Sequence, residues 1–263
     1  MSADGYALVG AHAAEVARAF LATEETHRRH LVIALSGAHA YGFPSPDSDL
    51  DLKAVHVDRT ARLLGLEAAP TGASRMEVVL GVELDYSSNE IGAVLGGILQ
   101  GNGNYLERIL GAPILAAAPE LTDLQPVVRR SLSKRVYRHY RGFAAAQRRE
   151  LVQKRTIKRL LYVLRTATTG LHLLRTGEVV PDLSLLADEY GLAEAAHLIE
   201  LKRAGEAAAL PDGAEQAWAE RVDALFGALD EALATSLLPD DPPNRAEVDA
   251  WLVALRRADL LRS

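Results

Sequence analysis

Asp49 and Asp51 stand one residue apart in the string SGAHAYGFPSPDSDLDL, residues 36–52. On an extended strand residues i and i+2 share a face, so the two carboxylates would project together at a spacing of about 7 Å. Like charges that close repel, and a cation between them, a divalent metal above all, relieves the repulsion. Asp-x-Asp pairs also occur on solvated surfaces, so the spacing alone leaves both readings open. A third acid lies in VELDY downstream, where Asp85 competes with Glu83 on the same strand face. The chain has no cysteine, which excludes disulfides, thiolate zinc sites and thiol nucleophiles and makes oxygen ligands the expected metal chemistry.

A second feature is one of charge. Residues 129–175 carry fourteen Lys or Arg and one acid, Glu150, a local balance of +13 inside a chain of net charge −6. A helix that is merely solvated interleaves both signs for i,i+4 pairing. The missing acids therefore predict a polyanionic ligand on this segment, with a solvated helical face as the plainer reading. No run of about 18 apolar residues appears, and the first ten residues lack a basic stretch followed by an apolar one. A cytoplasmic protein without a membrane partner is expected.

These residues need elements to position them. Residues 6–29 show apolar positions at helical spacing, and LVIAL at 31–35 suits a buried strand ending in a Ser-Gly turn. GFPSPDS reads as a loop and LDLKAVHV, 50–57, as the next strand. Residues 76–86 are read as extended, with Gly81 at a hairpin turn or bulge. SSNE then resembles a capping box with Ser87 as N-cap and Glu90 three residues on, opening a helix to Leu99, so that Asp85 falls at a strand's carboxyl end. Asn102 is read as a cap for that helix, and YLERIL as a short helix after it. Past residue 115 no strand is expected. Helical patterns run over 122–151, 154–176, 183–190, 192–206, 213–235 and 245–261, with LGAPILAAAPELTD as the connector. The reading is α+β, with a sheet-bearing unit at 1–115 and an all-helical bundle at 116–263. Trp218, Leu225 and Trp251 are assigned to cores or an interface.

The string GAHAYGFPSPDSDLDL resembles the catalytic signature of the nucleotidyltransferase superfamily that includes DNA polymerase beta, in particular its predicted-nucleotidyltransferase branch. Gly37 takes the motif glycine position, Tyr41 and Gly42 match the branch's Tyr-Gly, and Asp49 and Asp51 its acidic pair. VELDYSSNEIGAVLGGILQGNGNYLERIL is similar to the block carrying the third carboxylate, and KRLLYVLRTATTGLHLLRTGEVVP to the C-terminal Lys-x-x-Leu-Tyr-x-x-Arg helix. The three blocks fall in the right order over most of residues 31–181.

The resemblance implies a mixed sheet with flanking helices, and a metal-dependent transfer of a nucleoside monophosphate from a nucleoside triphosphate to a hydroxyl, with release of pyrophosphate. Asp49, Asp51 and Asp85 would hold Mg2+ or Mn2+, two ions in all, with Asp85 beside the attacking hydroxyl. Gly37, Ala38, His39 and Ser48 would lie at the nucleotide, with Lys158, Tyr162 and Arg165 on one helix face as further contacts. Plainer roles compete: His39 as a loop polar group, Lys53 paired to the acidic cluster, and Tyr137, His139 and Tyr140 in a core. One departure matters. The residue after the motif glycine is usually serine in the superfamily and here is Ala38, which loses a hydrogen bond to the triphosphate worth about 1.5–3 kcal/mol. The acceptor stays open among an RNA end, a protein hydroxyl and a small molecule, as does the oligomeric state. Two other functions fit the same residues. One is a catalytically weak or inactive nucleotide or RNA binding module, and the other an antitoxin-like protein-modifying nucleotidyltransferase.

Overall fold

Five consecutive apolar residues, 31–35, lie on an inner strand of the sheet, and none is more than 1% exposed. The structure is a computed structural model and describes residues 5–66, 70–203, 205, 208–210 and 213–262. After a 3-10 turn at Gly5–Leu8, helix α1 (Ala11–His27) buries Ala14, Val16, Ala17, Phe20 and Leu21. Strand β1 (Arg29–Leu35) ends at the short helix α2 (Gly37–Ala40), and a loop leads to β2 (Leu50–Val57). Helix α3 (Thr60–Leu63) precedes the hairpin of β3 (Gly72–Val79) and β4 (Val82–Glu90). Its two-residue turn, Leu80 and Gly81, has both φ angles positive, 49° and 82°, as a type I′ hairpin turn requires. The sheet order is β3-β4-β2-β1-β5, with β2 and β4 parallel and every other pair antiparallel. This is the mixed sheet with flanking helices that the resemblance implies.

The SSNE stretch departs from the expected capping box. Strand β4 continues through it, because Ser87 and Ser88 pair with Lys53 and Ala54 of β2 on one side and with Ser74 and Ala73 of β3 on the other. Two ladders outweigh one side-chain cap. Asp85 is therefore the fourth of nine strand residues, not the last. The true N-cap of α4 (Ile91–Ile98) is Glu90, whose Oε2 accepts from Gly92 N at 2.6 Å. Asn102 likewise caps the following helix, α5 (Gly103–Leu106), accepting from Asn104 N at 3.1 Å, and a π turn at Glu107–Gly111 follows. Inside the expected connector, β5 (Ile114–Ala117) adds a strand against β1.

The remaining residues are helical. The expected 122–151 helix is two, α6 (Glu120–Arg130) and α7 (Val136–Lys154), parted where the Ser131 hydroxyl bonds Val127 O and Asn244 Oδ1. Helix α8 (Ile157–Thr176), capped by Thr156 and closed by Gly177 at φ 76°, is the axis of this half. Around it lie α7, α9 (Leu183–Leu186), α10 (Ala195–Arg203) and α11 (Ala214–Thr235). Ala204 and Glu206, at the end of the expected 192–206 pattern, fall outside the described residues. Trp218 and Leu225 are buried in α11, and Trp251 is partly buried on the core. Helix α12 (Arg245–Arg262) returns to the sheet end, where Asp259 Oδ2 accepts from Thr60 N at 2.6 Å and Arg256 pairs with Glu90.

Acids missing from the basic segment come from residues 223–247, on α11, the loop after it and the start of α12. Lys134 meets Asp240 at 3.0 Å, Arg135 Asp241 at 2.6 Å, Arg141 Asp230 at 3.0 Å and Arg148 Asp223 at 2.5 Å, while Arg130 pairs with Glu247. These five of the fourteen basic residues are thus countered by acids from elsewhere in the fold.

Candidate active site

The chain leaves β1 at Ser36, whose N–H donates to Asp51 O at 3.0 Å, and turns at Gly37 with φ +61°. A Cβ on Gly37 would stand 1.8 Å from Asp51 Oδ2, so only glycine lets the turn lie against that carboxylate. The turn is closed from within: Tyr41 N donates to Gly37 O and Phe43 N to Ala38 O, each at 3.1 Å, and the Ser36 and Tyr41 hydroxyls meet at 3.0 Å. Ala38 is buried. His39 is half-buried, 3.4 Å from Leu8 O through Nδ1, and burial holds its ring below the ordinary histidine range.

Asp51 and Asp85 are partners in the parallel β2–β4 register and so project from the same face. Asp49 sits just before β2, and Glu83, the competitor for the third position, is exposed two residues before Asp85. Lys53, next on the Asp51 face, places Nζ 2.8 Å from Asp85 Oδ2 and 3.4 Å from Asp51 Oδ1. It pairs with the acidic cluster, as the plainer sequence reading has it. Burial pushes the Asp51 carboxyl up to about 6; Lys53 opposes this, and the charges of Asp49 and Asp85 add to it. A depression of about 200 Å³ opens beside these acids, edged by Asp49, Met76, Val78, Glu83 and Asp85. Among the described residues no group of three or more His, Asp or Glu stands in metal-holding geometry.

The other expected residues divide. Tyr162 stands edge-on to Tyr41 and Phe43 at 5.9 and 5.5 Å. Burial first, then the charges of Tyr41, Asp51 and Asp49, hold its hydroxyl well above the ordinary range. Lys158 lies one turn earlier on α8, half-buried. Arg165 is only 5% exposed: Nη1 bonds Glu107 Oε1 at 2.8 Å and its guanidinium lies 3.5 Å from the Tyr41 ring centre. Burial opposes its charge most strongly, but Glu107 together with Tyr41 and Tyr140 outweighs it and holds the guanidinium above its ordinary range. Tyr140, completely buried, completes the group by donating to the same Glu107 oxygen at 3.1 Å. Ser48 is tied to the loop base, where buried Lys202 of α10 donates to Ser45 Oγ at 3.0 Å and Ser48 Oγ at 3.2 Å.

Lys202, which ties the loop base, Glu107, which pairs with Arg165, and Arg108, which bonds Asn89 Oδ1 at 2.7 Å, are residues around the candidate site that sequence reasoning misses. Lys202 reads as an ordinary basic residue at a helix end. For Glu107 and Arg108 the signal was the NYLERIL block itself, matched above without a role.

Among known proteins, Uncharacterized protein MJ0002 of Methanocaldococcus jannaschii is 26% identical over 231 residues, spanning 84% of this chain and 91% of that protein. A solved structure, the nucleotidyltransferase-like protein from Exiguobacterium sibiricum 255-15, covers 92% of this chain and 78% of its own at 12% identity and a TM-score of 0.33. The family model of RlaP matches residues 13–254, nearly the whole chain, and carries the sheet, the Gly37 turn and the three acids together. The chain belongs to RlaP, the RNA repair pathway DNA polymerase beta family, and is a polymerase beta-like nucleotidyltransferase.

Proposed function

We propose that the chain moves a nucleoside monophosphate group from a nucleoside triphosphate to the hydroxyl of an RNA end. The observation that carries this is the register of Asp51 beside Asp85, with Asp49 adjacent and Gly37 packed on the Asp51 carboxylate. An acceptor oxygen bonds to the α-phosphorus, the bond from that phosphorus to the bridging oxygen breaks, and pyrophosphate leaves. Asp85, on the strand beside Asp51, would lie on the acceptor side and take the hydroxyl proton. The carboxylate oxygens suit Mg2+ or Mn2+, and the pairing of the Lys53 ammonium with Asp51 and Asp85 is consistent with positive charge in this gap. When bound, the ions supply a polarised acceptor oxygen and charge neutralisation for the leaving pyrophosphate. The family's description, an RNA repair pathway, supports RNA as the acceptor over a protein or a small molecule.

The test is transfer of label from each alpha-labelled ribonucleoside triphosphate, with Mg2+ or Mn2+, to RNA, protein and metabolite fractions. The Asp49→Asn, Asp51→Asn double variant is the control. Label in RNA that the double variant loses supports the reading, and label in protein or metabolites replaces the acceptor. One observation favours a second reading, a nucleotide-binding module without turnover: Ala38, buried in the turn, has no hydroxyl for the triphosphate. Metal-dependent thermal stabilisation by nucleotide with no label transferred would select it.

A further inference from the structure

Behind the acids, on the side away from the β3–β4 hairpin, lies a cavity of about 190 Å³ whose wall includes Ser36, Tyr41, Lys53, Asn104, Glu107 and Arg108. Three charges face it. Glu107 is spent on Arg165, and Lys53 on Asp51 and Asp85. Arg108 differs from both. Only its Nη1 is engaged among the described residues, with Asn89 Oδ1 at 2.7 Å and the Ala54 carbonyl at 3.3 Å, and no carboxylate of those residues pairs with it. The Tyr105 ring covers one side of the guanidinium at 5.2 Å. A largely enclosed cation costs free energy unless it is paired, and both of Arg108's partners are neutral. Its burial is large enough to hold the guanidinium below its ordinary value.

We infer that this cavity is an anion subsite, in which Arg108 receives a phosphate group carried by the acceptor. A tetrahedral phosphate offers acceptor oxygens to a guanidinium, to the Asn104 amide and to the Ser36 and Tyr41 hydroxyls at once. Arg108 leaves Nε and Nη2 for it, the fork that binds two oxygens of one anion. Lys53 joins the cavity to the acids, since the same ammonium that lines it touches Asp51 and Asp85. An anion here is therefore one side chain away from the hydroxyl beside Asp85. The assignment of the phosphate to an acceptor rests on the proposed transfer reaction; the anion subsite itself does not.

The test is an amide NMR titration of the 15N-labelled full chain without divalent ions, using inorganic phosphate, then glycerol 3-phosphate and the RNA trinucleotide ApApA. Saturable shifts at residues 104–108 are expected in the native chain. They should weaken by about tenfold or more in Arg108→Met and by less in Arg108→Lys, which keeps the charge but not the two-donor fork. Shifts confined to residues 37–39, or equal affinity in native chain and Arg108→Met, would overturn the subsite. Where Arg108→Met fails to fold, Asn104→Ala supplies the comparison, with the same weakening expected. Displacement of inorganic phosphate by ApApA names an RNA end as the source and displacement by glycerol 3-phosphate a small phosphorylated acceptor; displacement by neither overturns the acceptor assignment. The Asp49→Asn, Asp51→Asn variant keeps these shifts, so failure of the subsite and failure of the transfer reaction are read separately.

Discussion

The Lys53 ammonium stands 2.8 Å from Asp85 Oδ2, inside the gap that a metal ion shared by Asp51 and Asp85 would enter. Lysine and metal compete for the same oxygens. Lys53→Met is expected to tighten Mn2+ binding without nucleotide by about tenfold, as one like charge leaves the gap. Water-proton relaxation during a Mn2+ titration measures it. Weaker binding in the variant would mean that the lysine instead holds the two carboxylates in place.

Gly37→Ala forces a Cβ to within 1.8 Å of Asp51 Oδ2 at a residue with φ +61°. Backbone strain alone costs on the order of 1–3 kcal/mol, and the carboxylate must also move. The expected variant is at least about 2 kcal/mol less stable by urea unfolding and has lost divalent-dependent nucleotide binding. Native binding in a destabilised Gly37→Ala would show that Asp51 does not need this contact.

Arg165 and Glu107 form a buried pair at 2.8 Å, each side chain 6% exposed. Arg165→Met strands a buried carboxylate and is expected to cost roughly 3–5 kcal/mol. Adding Glu107→Gln removes the stranded charge while keeping an acceptor for the Tyr140 hydroxyl, and should recover about half of the loss. An additive double variant in urea unfolding would mean that the two residues are not coupled.

Two rings set an acid limit. Burial holds His30, which meets Tyr86 Oη at 2.7 Å, down to about 4, and holds His139, stacked on Phe143, down to about 4 as well. Unfolded, each titrates near 6.5. The unfolded chain therefore takes up protons first as pH falls. The stability from neutral rings is whole above about pH 6.5 and is lost toward pH 4. Each ring contributes on the order of 1–2 kcal/mol to that loss after discounting for partial exposure. His139→Phe should flatten the profile between pH 7 and pH 5, and an unchanged slope would exclude that ring as a cause.

What was legible in the sequence is what neighbours along the chain decide. The apolar run of β1, the Gly37 turn, the Asp49 and Asp51 pair and the Gly81 hairpin are all local patterns. SSNE satisfies a helix cap and a strand equally well on its own, and only the β2 and β3 residues beside it decide for the strand. The four apolar residues at 114–117, Ile-Leu-Ala-Ala, carry no alternation, so the open edge of β1 is what makes them β5. Lys202 reaches Ser45 across 157 residues of sequence, and the acids of the basic segment lie mostly on other helices; no local window contains either pairing. Arg165 was legible as a cation on α8, but its commitment to Glu107 was not.

The return of α12 to the sheet has a consequence for how the protein is made. Glu90 caps α4 and takes its counter-charge from Arg256, 166 positions later, while the α3 start is bonded by Asp259, 199 positions after Thr60. Such distant closures are slow to form, because the intervening chain must be ordered first. On the ribosome the strands bearing Asp51 and Asp85 emerge long before the helix that braces their far end. The nascent sheet therefore waits, with the carboxyl end of β4 still unbraced, until α12 has been synthesised.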